Sequence, residues 1–141
     1  MTARTFVDTN ILIYAHDRDA GRKSEIAAAH LRELWESENG ATSVQVLQEF
    51  YVNAVRKISP PLPTPAAREI LRIYRLWVKE ITTVDTVLRG TGIAELAQLS
   101  FWDGLIVASA EQAGASILLS EDLNHGQVIA GVKIINPFHE L

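Results

Sequence analysis

With 141 residues, 13 Lys and Arg against 17 Asp and Glu, and no cysteine, the chain is sized for a single domain over residues 1–141, and disulfide frameworks, zinc ribbons, thiol nucleophiles and iron–sulfur sites are excluded. Apolar residues at 48% and charged residues at 21% exclude disorder; no uncharged apolar run approaches the ~18 residues of a membrane span and no signal-peptide layout opens the chain, so a cytoplasmic protein is expected. A net charge of −4 argues against a generic nucleic-acid binder unless several acids converge on a metal, and setting four aside leaves 13 acids against 13 bases.

Arg4–Asp8 is a short β-rich run ending in an acid, and Thr9–Ala15 continues it as an apolar helical turn. After a polar loop ending at Gly21, apolar residues Ala27, Leu31, Leu34 and Trp35 recur at three- and four-residue spacing and predict a helix stopped by Asn39-Gly40. Gly40–Ser43 is a short strand candidate, and Ser43 is a good N-cap for a helix running from Val44 to Ile58. Thr64-Pro65, at the end of a proline-rich connector, has the form of a helix start, and that helix is expected to reach Lys79. A β-type run at Ile81–Val84 follows, then helices over 86–99, which carries Gly90 and Gly92, and over 101–113, opened by Ser100. Ser116–Leu119 and Val132–Ile135 read as the last strands.

Strands separated by helices of ten or more residues pair in parallel through right-handed crossovers. The expected fold is therefore α/β: a three-layer α/β/α sandwich around a mainly parallel sheet of about five strands. Ligands in such sheets bind beyond the strands' carboxyl ends.

Asp8 terminates the first strand, and Asp122 follows the Leu118-Leu119 strand by three residues. Glu49 falls in the second turn of the helix opened by Ser43, and Asp103 in the first turn of the helix opened by Ser100. All four are aimed at one sheet edge. Singly, each has an ordinary reading as a cap, a turn or a solvated face. Together, four carboxylates without a cation repel one another, and an all-oxygen set suits Mg²⁺ or Mn²⁺.

Phe6-Val-Asp-Thr-Asn10, Ser43-Val-Gln-Val-Leu-Gln-Glu49-Phe50, Ser100-Phe-Trp-Asp103-Gly-Leu-Ile and Leu118-Leu-Ser-Glu-Asp122-Leu resemble, in order, the signatures of PIN-domain ribonucleases, in particular the toxin component of VapBC-type toxin–antitoxin pairs. The resemblance implies a Mg²⁺- or Mn²⁺-dependent endoribonuclease that inhibits translation or growth and leaves 5′-phosphate and 3′-hydroxyl ends. Asp8, Glu49, Asp103 and Asp122 match the family's catalytic, metal-binding quartet, and Asn10, Ser43 and Ser120 its supporting polar residues. Glu121 adds a carboxylate beside Asp122 that competes for the fourth position, and Gly104 stands where the family commonly has Ala. The implied partners are RNA, a cognate antitoxin and a second copy of the chain in a homodimer, with Tyr74, Trp77 and Val78 as candidates for an exposed apolar face.

Arg68, Arg72, Arg75 and Lys79 fall at i, i+4, i+7 and i+11, a basic stripe that is either a solvated face or an RNA-backbone contact. The four histidines show no zinc-ligand spacing. Trp35, Trp77 and Trp102 lie among apolar residues and read as core or interface rather than base-stacking platforms. Two rival functions remain open: a PIN-like binding module without catalysis, and a haloacid-dehalogenase-like phosphotransferase with Asp8 as nucleophile. The second wants another Asp two residues on, where this chain has Asn10.

Overall fold

Three short apolar runs form the centre of the sheet because both of their faces are covered, as continuous hydrophobic strands require. In the computed structural model, which describes residues 3–141, β1 (Thr5–Val7) lies between β2 (Gly40–Ala41) and β3 (Ile117–Leu119), parallel to both. Next comes β5 (Val132–Ile135), parallel to β3, and then β4 (Val128–Ile129), antiparallel to β5. The sheet order is β2-β1-β3-β5-β4. Phe6, Val7, Leu118 and Ile134 are fully buried. Six helices flank the sheet: α1 (Thr9–Ala15), α2 (Arg22–Ser37), α3 (Val44–Arg56), α4 (Thr64–Tyr74), α5 (Val84–Ala97) and α6 (Phe101–Gln112). This is the expected three-layer α/β/α arrangement with a mainly parallel sheet.

The fifth strand is not the expected one. Residues 81–83 form no strand: Ile81 is 77% exposed and lacks a sheet neighbour, while Thr83 and Thr86 close a reciprocal capping box at the start of α5. The missing strand is β4, joined to β5 by Ala130 and Gly131, both at positive φ (51° and 77°), the backbone that a two-residue hairpin turn demands.

The helix expected to reach Lys79 ends at Tyr74 and tightens into a 3₁₀ turn at Arg75–Trp77. Burial drives this ending. Trp77 packs on Trp35 at 4.4 Å and on Tyr74 at 4.9 Å, and its carbonyl accepts from the Thr42 N–H at 2.8 Å. Tyr74 and Trp77 are only 5% and 3% exposed and Val78 is bridged to Thr42, so none of the three supplies the exposed apolar face expected of them. Ile73 and Leu76 are the exposed apolar residues of this segment. Gly40, read both as part of a helix stop and as the start of a short strand, lies in β2, where an added Cβ would lie 2.4 Å from the Trp77 ring. The left-handed residue that ends α2 is Glu38, at φ 60°.

Gly90 and Gly104 explain both why the continuous helix α5 carries a glycine and why the chain departs from the family pattern. A Cβ on Gly104 would meet the Gly90 carbonyl oxygen at 2.5 Å and the Ala94 methyl at 2.8 Å. The two glycines let α5 and α6 approach backbone to backbone, and Arg89 locks the pair through a two-pronged bond to Glu111 at 2.9 and 3.0 Å.

Candidate active site

Asp8 follows the last residue of β1 and caps α1, and every atom of its carboxylate is committed. Oδ1 accepts from the Thr9 N–H at 2.7 Å, and Oδ2 accepts from the Ser120 hydroxyl at 2.8 Å. The residue is 5% exposed. Burial pushes its carboxyl up to about 6, against the lowering effect of these two donors, and the charges of Asp122 and Glu49 push in the same direction as burial.

Ser43 caps α3 by accepting from the Val46 N–H, which sets the helix so that Gln45, Glu49 and Asn53, each four residues apart, line one cavity. Glu49 Oε1 accepts from the Thr9 hydroxyl at 2.8 Å. Ser100 caps α6 by accepting from the Asp103 N–H at 3.1 Å, placing Asp103 in the first turn. Asp122 leaves β3 through a turn in which its N–H donates to Ser120 Oγ at 3.2 Å, and its Oδ2 accepts from Asn10 Nδ2 at 3.0 Å. Its carboxyl is also pushed upward, first by burial and then by the charges of Asp103 and Glu121.

Asp8, Glu49, Asp103 and Asp122 thus line a single cavity of about 120 Å³, with Thr9, Asn10, Gln45, Asn53, Trp102 and Ile106. At ~30 Å³ per water molecule this is room for a small hydrated ion. Among the described residues no three acidic or histidine side chains are drawn together tightly enough to chelate an ion as they stand. Mg²⁺ itself keeps several waters and rests directly on only one or two carboxylates. The donor set is all oxygen, and the Asp8 and Asp122 carboxyls are raised first by burial and then by neighbouring acids, so the residues fit a hard divalent cation.

Of the supporting candidates, Asn10 and Ser120 bond the quartet directly and Ser43 acts through its helix. Glu121 is turned to other partners, accepting from the Tyr14 hydroxyl at 2.7 Å and pairing with Lys23, and it does not line the cavity. The basic stripe is not continuous, since α4 ends between Arg72 and Arg75. Arg72 pairs with Glu69, Lys79 donates to the Leu76 carbonyl, and none of Arg68, Arg72, Arg75 and Lys79 lines the cavity. His125 stacks on His139 at 4.2 Å and is likewise absent from the lining. Thr9, Gln45, Asn53 and Trp102 were missed by sequence reasoning. The first three carried a readable signal, adjacency to Asp8 and the four-residue spacing about Glu49. Trp102, read as core or interface, is not in the core but 62% exposed at the cavity.

Among solved structures, the chain resembles VapBC2 from Rickettsia felis, described as bound to a DNA fragment from their promoter, with TM-score 0.58 and 20% identity over 94% of this chain and 97% of that one. It also resembles FitAcB from Neisseria gonorrhoeae, with TM-score 0.61 and 16% identity over 96% and 99% of the respective chains. A search of curated proteins finds no match. The family model described as PIN domain matches residues 5–129, from β1 to the end of β4. The carboxylate-lined edge and the strands that build it fall within that span, and the chain belongs to the PIN domain family.

Proposed function

We propose that this protein is a metal-dependent endoribonuclease that acts as the toxin of a toxin–antitoxin pair, in the cytoplasm and as a homodimer. The observation that carries this reading is the gathering of Asp8, Glu49, Asp103 and Asp122, from four distant segments, around one small cavity at the carboxyl edge of the sheet. Asp8 and Asp103 would hold Mg²⁺ or Mn²⁺, with Glu49 and Asp122 contributing directly or through water. Such an ion supplies Lewis acidity toward a water and toward the phosphodiester, and neutralises charge on the departing oxygen.

The chain's own groups prepare that site. Thr9 uses its N–H for Asp8 and its hydroxyl for Glu49, which fixes two carboxylates relative to one another. Ser120 holds Asp8 and the Asp122 backbone together, and Asn10 orients the Asp122 side chain. Because Asp8 is held on both oxygens, little reorganisation is needed when charge arrives. The pairs named in the structures of similar fold support an antitoxin partner for this chain.

Cleavage of an RNA pool with Mg²⁺, with EDTA, and by the Asp8→Asn variant tests the reading. Loss of cleavage in both EDTA and the folded variant is expected. Undiminished Mg²⁺-dependent cleavage by Asp8→Asn would overturn it. A wild-type protein that binds RNA without cutting it would favour the binding-module reading.

A further inference from the structure

Asp122 is the one member of the quartet carried by irregular backbone. Glu49 and Asp103 are set by α3 and α6, and Asp8 is held on both oxygens at the start of α1. Asp122 lies in the turn after β3, where its carboxylate is oriented by Asn10 alone among the described residues. The residue before it is fixed far more heavily. Glu121 Oε1 accepts from the Tyr14 hydroxyl at 2.7 Å, and Oε2 pairs with the Lys23 ammonium. That ammonium lies 4.9 Å from the centre of the Tyr14 ring and 5.4 Å from that of Phe138, and the two rings meet edge to face at 5.2 Å. An ion pair open to water contributes little, but the Glu121 side chain is only 23% exposed and the cation also rests against two aromatic faces. Glu121 thus ties the turn to α1, to α2 and, through Lys23 and Tyr14, to the segment after β5.

Asn10 and Tyr14 stand one turn apart on the same face of α1. They donate to consecutive carboxylates, Asn10 to Asp122 and Tyr14 to Glu121, so one helix face grips the turn at two points. We propose that Glu121 is a positioning residue for Asp122: anchored by Tyr14 and Lys23, it fixes the turn after β3 so that the Asp122 carboxylate stays at the cavity, and it keeps its own charge out of the cavity. A fifth carboxylate there would add to the repulsion among the other four. This inference rests on the metal-dependent reading and adds to it the groups that set one of the four carboxylates. Residues that orient a metal ligand typically alter metal affinity 10–100-fold. Glu121 acts through the backbone rather than by bonding Asp122, so it belongs at the low end of that range.

The test is a double-mutant cycle read as binding of Mn²⁺ alone to the full chain, followed by the paramagnetic signal of the free ion. Glu121→Ala and Tyr14→Phe are each made in wild type and in Asp122→Asn protein, with thermal unfolding as the check on folding. Glu121→Ala should weaken Mn²⁺ binding about tenfold in wild type and less than twofold in Asp122→Asn, because the residue through which it acts is already disabled. Tyr14→Phe changes no charge and keeps the ring that Lys23 and Phe138 touch. It should give a smaller loss, about threefold, with the same dependence on Asp122, and it carries the test if Glu121→Ala fails to fold. Equal losses in both backgrounds would overturn the proposal, assigning Glu121 a role through its charge or through stability. Unchanged Mn²⁺ affinity in folded Glu121→Ala and Tyr14→Phe would overturn it as well. Either result would leave the ribonuclease reading standing if Asp8→Asn abolishes cleavage, whereas wild-type protein that binds no Mn²⁺ would overturn both.

Discussion

The Ser120 hydroxyl donates to Asp8 Oδ2 at 2.8 Å, joining residues 112 apart in sequence at the shared carboxyl edge of β1 and β3. Ser120 is fully buried, and the same oxygen accepts from the Asp122 N–H. One hydroxyl thus spends its donor on one acid and its acceptor on the segment carrying another. The parallel register of the two strands, with Val7 opposite Leu119, makes this contact possible, since it brings Asp8 and Ser120 out of the sheet side by side.

The cost of burying Asp8 as an anion appears as a pH dependence. Its carboxyl stands at about 6 in the folded chain against 3.8 in its ordinary state, so between these values the folded protein binds the proton that the unfolded protein has lost. Stability contributed by the neutral form is complete below about pH 4 and is lost as pH rises through about 6, a loss of about 3 kcal/mol for one carboxyl. Asp8→Asn should therefore stabilise the metal-free protein at pH 8 and leave it unchanged at pH 4. Thermal unfolding in EDTA at the two pH values measures this. Mg²⁺ should raise the Tm of wild type and not of the variant.

His16 imposes the opposite slope. It packs edge-on to Phe50 at 5.8 Å and Tyr74 at 6.2 Å, its Nε2 is shielded and unpaired, and burial lowers its pKa from 6.5. Below about pH 6.5 the unfolded chain takes up a proton that the folded chain resists, so stability falls on acidification. His16→Phe should flatten the acid limb. The effect is cleanest in the Asp8→Asn background, where the opposing carboxyl is gone, and urea midpoints from pH 7 down to pH 5 would show it.

The glycines of α5 and α6 make a paired prediction. Gly104→Ala places a methyl 2.5 Å from the Gly90 carbonyl oxygen, where backbone has to move, and should destabilise by ~1–3 kcal/mol. Gly92, in the same helix as Gly90, has nothing within 4 Å of an added Cβ. Gly92→Ala should stabilise by up to ~1 kcal/mol through helix propensity alone. Denaturant unfolding of the two variants should give opposite signs, and equal signs would contradict the close approach of the helices.

What was readable from sequence follows from range. The caps Ser43 and Ser100, the central strands and the acids at their ends are local signals, and each lands where residue spacing puts it, while α4 starts one residue earlier than Thr64-Pro65 suggests, with Pro63 at the cap position and Thr64 inside the helix. The end of α4 is not local. Nothing within residues 64–79 announces that Trp77 will be drawn onto Trp35 and hydrogen-bonded to Thr42, which breaks the basic stripe. The turn at Ala130-Gly131 is local, but the strand it follows, β4, has two residues, too short for alternation to register. At the site, the quartet's convergence was legible because strand ends and helix starts share an edge. That Glu121 turns to Tyr14 and Lys23 while Asp122 faces the cavity depends on partners about a hundred residues away.

If the proposed toxin–antitoxin reading holds, the means of restraint by the antitoxin can be argued from the same four carboxylates. A partner can lay an apolar helix along a groove of this chain, and it can also present an Arg or Lys to the cavity. The second route has a thermodynamic signature, because a guanidinium or ammonium and Mg²⁺ then compete for the same oxygens. Asp8 and Asp122, both pushed upward in their carboxyls by burial and neighbouring acids, gain from any cation that enters. Raising Mg²⁺ should therefore weaken inhibition in proportion to its occupancy. Asp122→Asn should lower partner affinity as well as cleavage, while a groove-only partner would bind the variant as tightly as wild type. Calorimetric titration of the purified cognate partner into wild-type and Asp122→Asn protein, at low and high Mg²⁺, distinguishes the routes. Affinity indifferent to both the substitution and the ion would exclude the cation from the cavity and leave groove binding as the means of restraint.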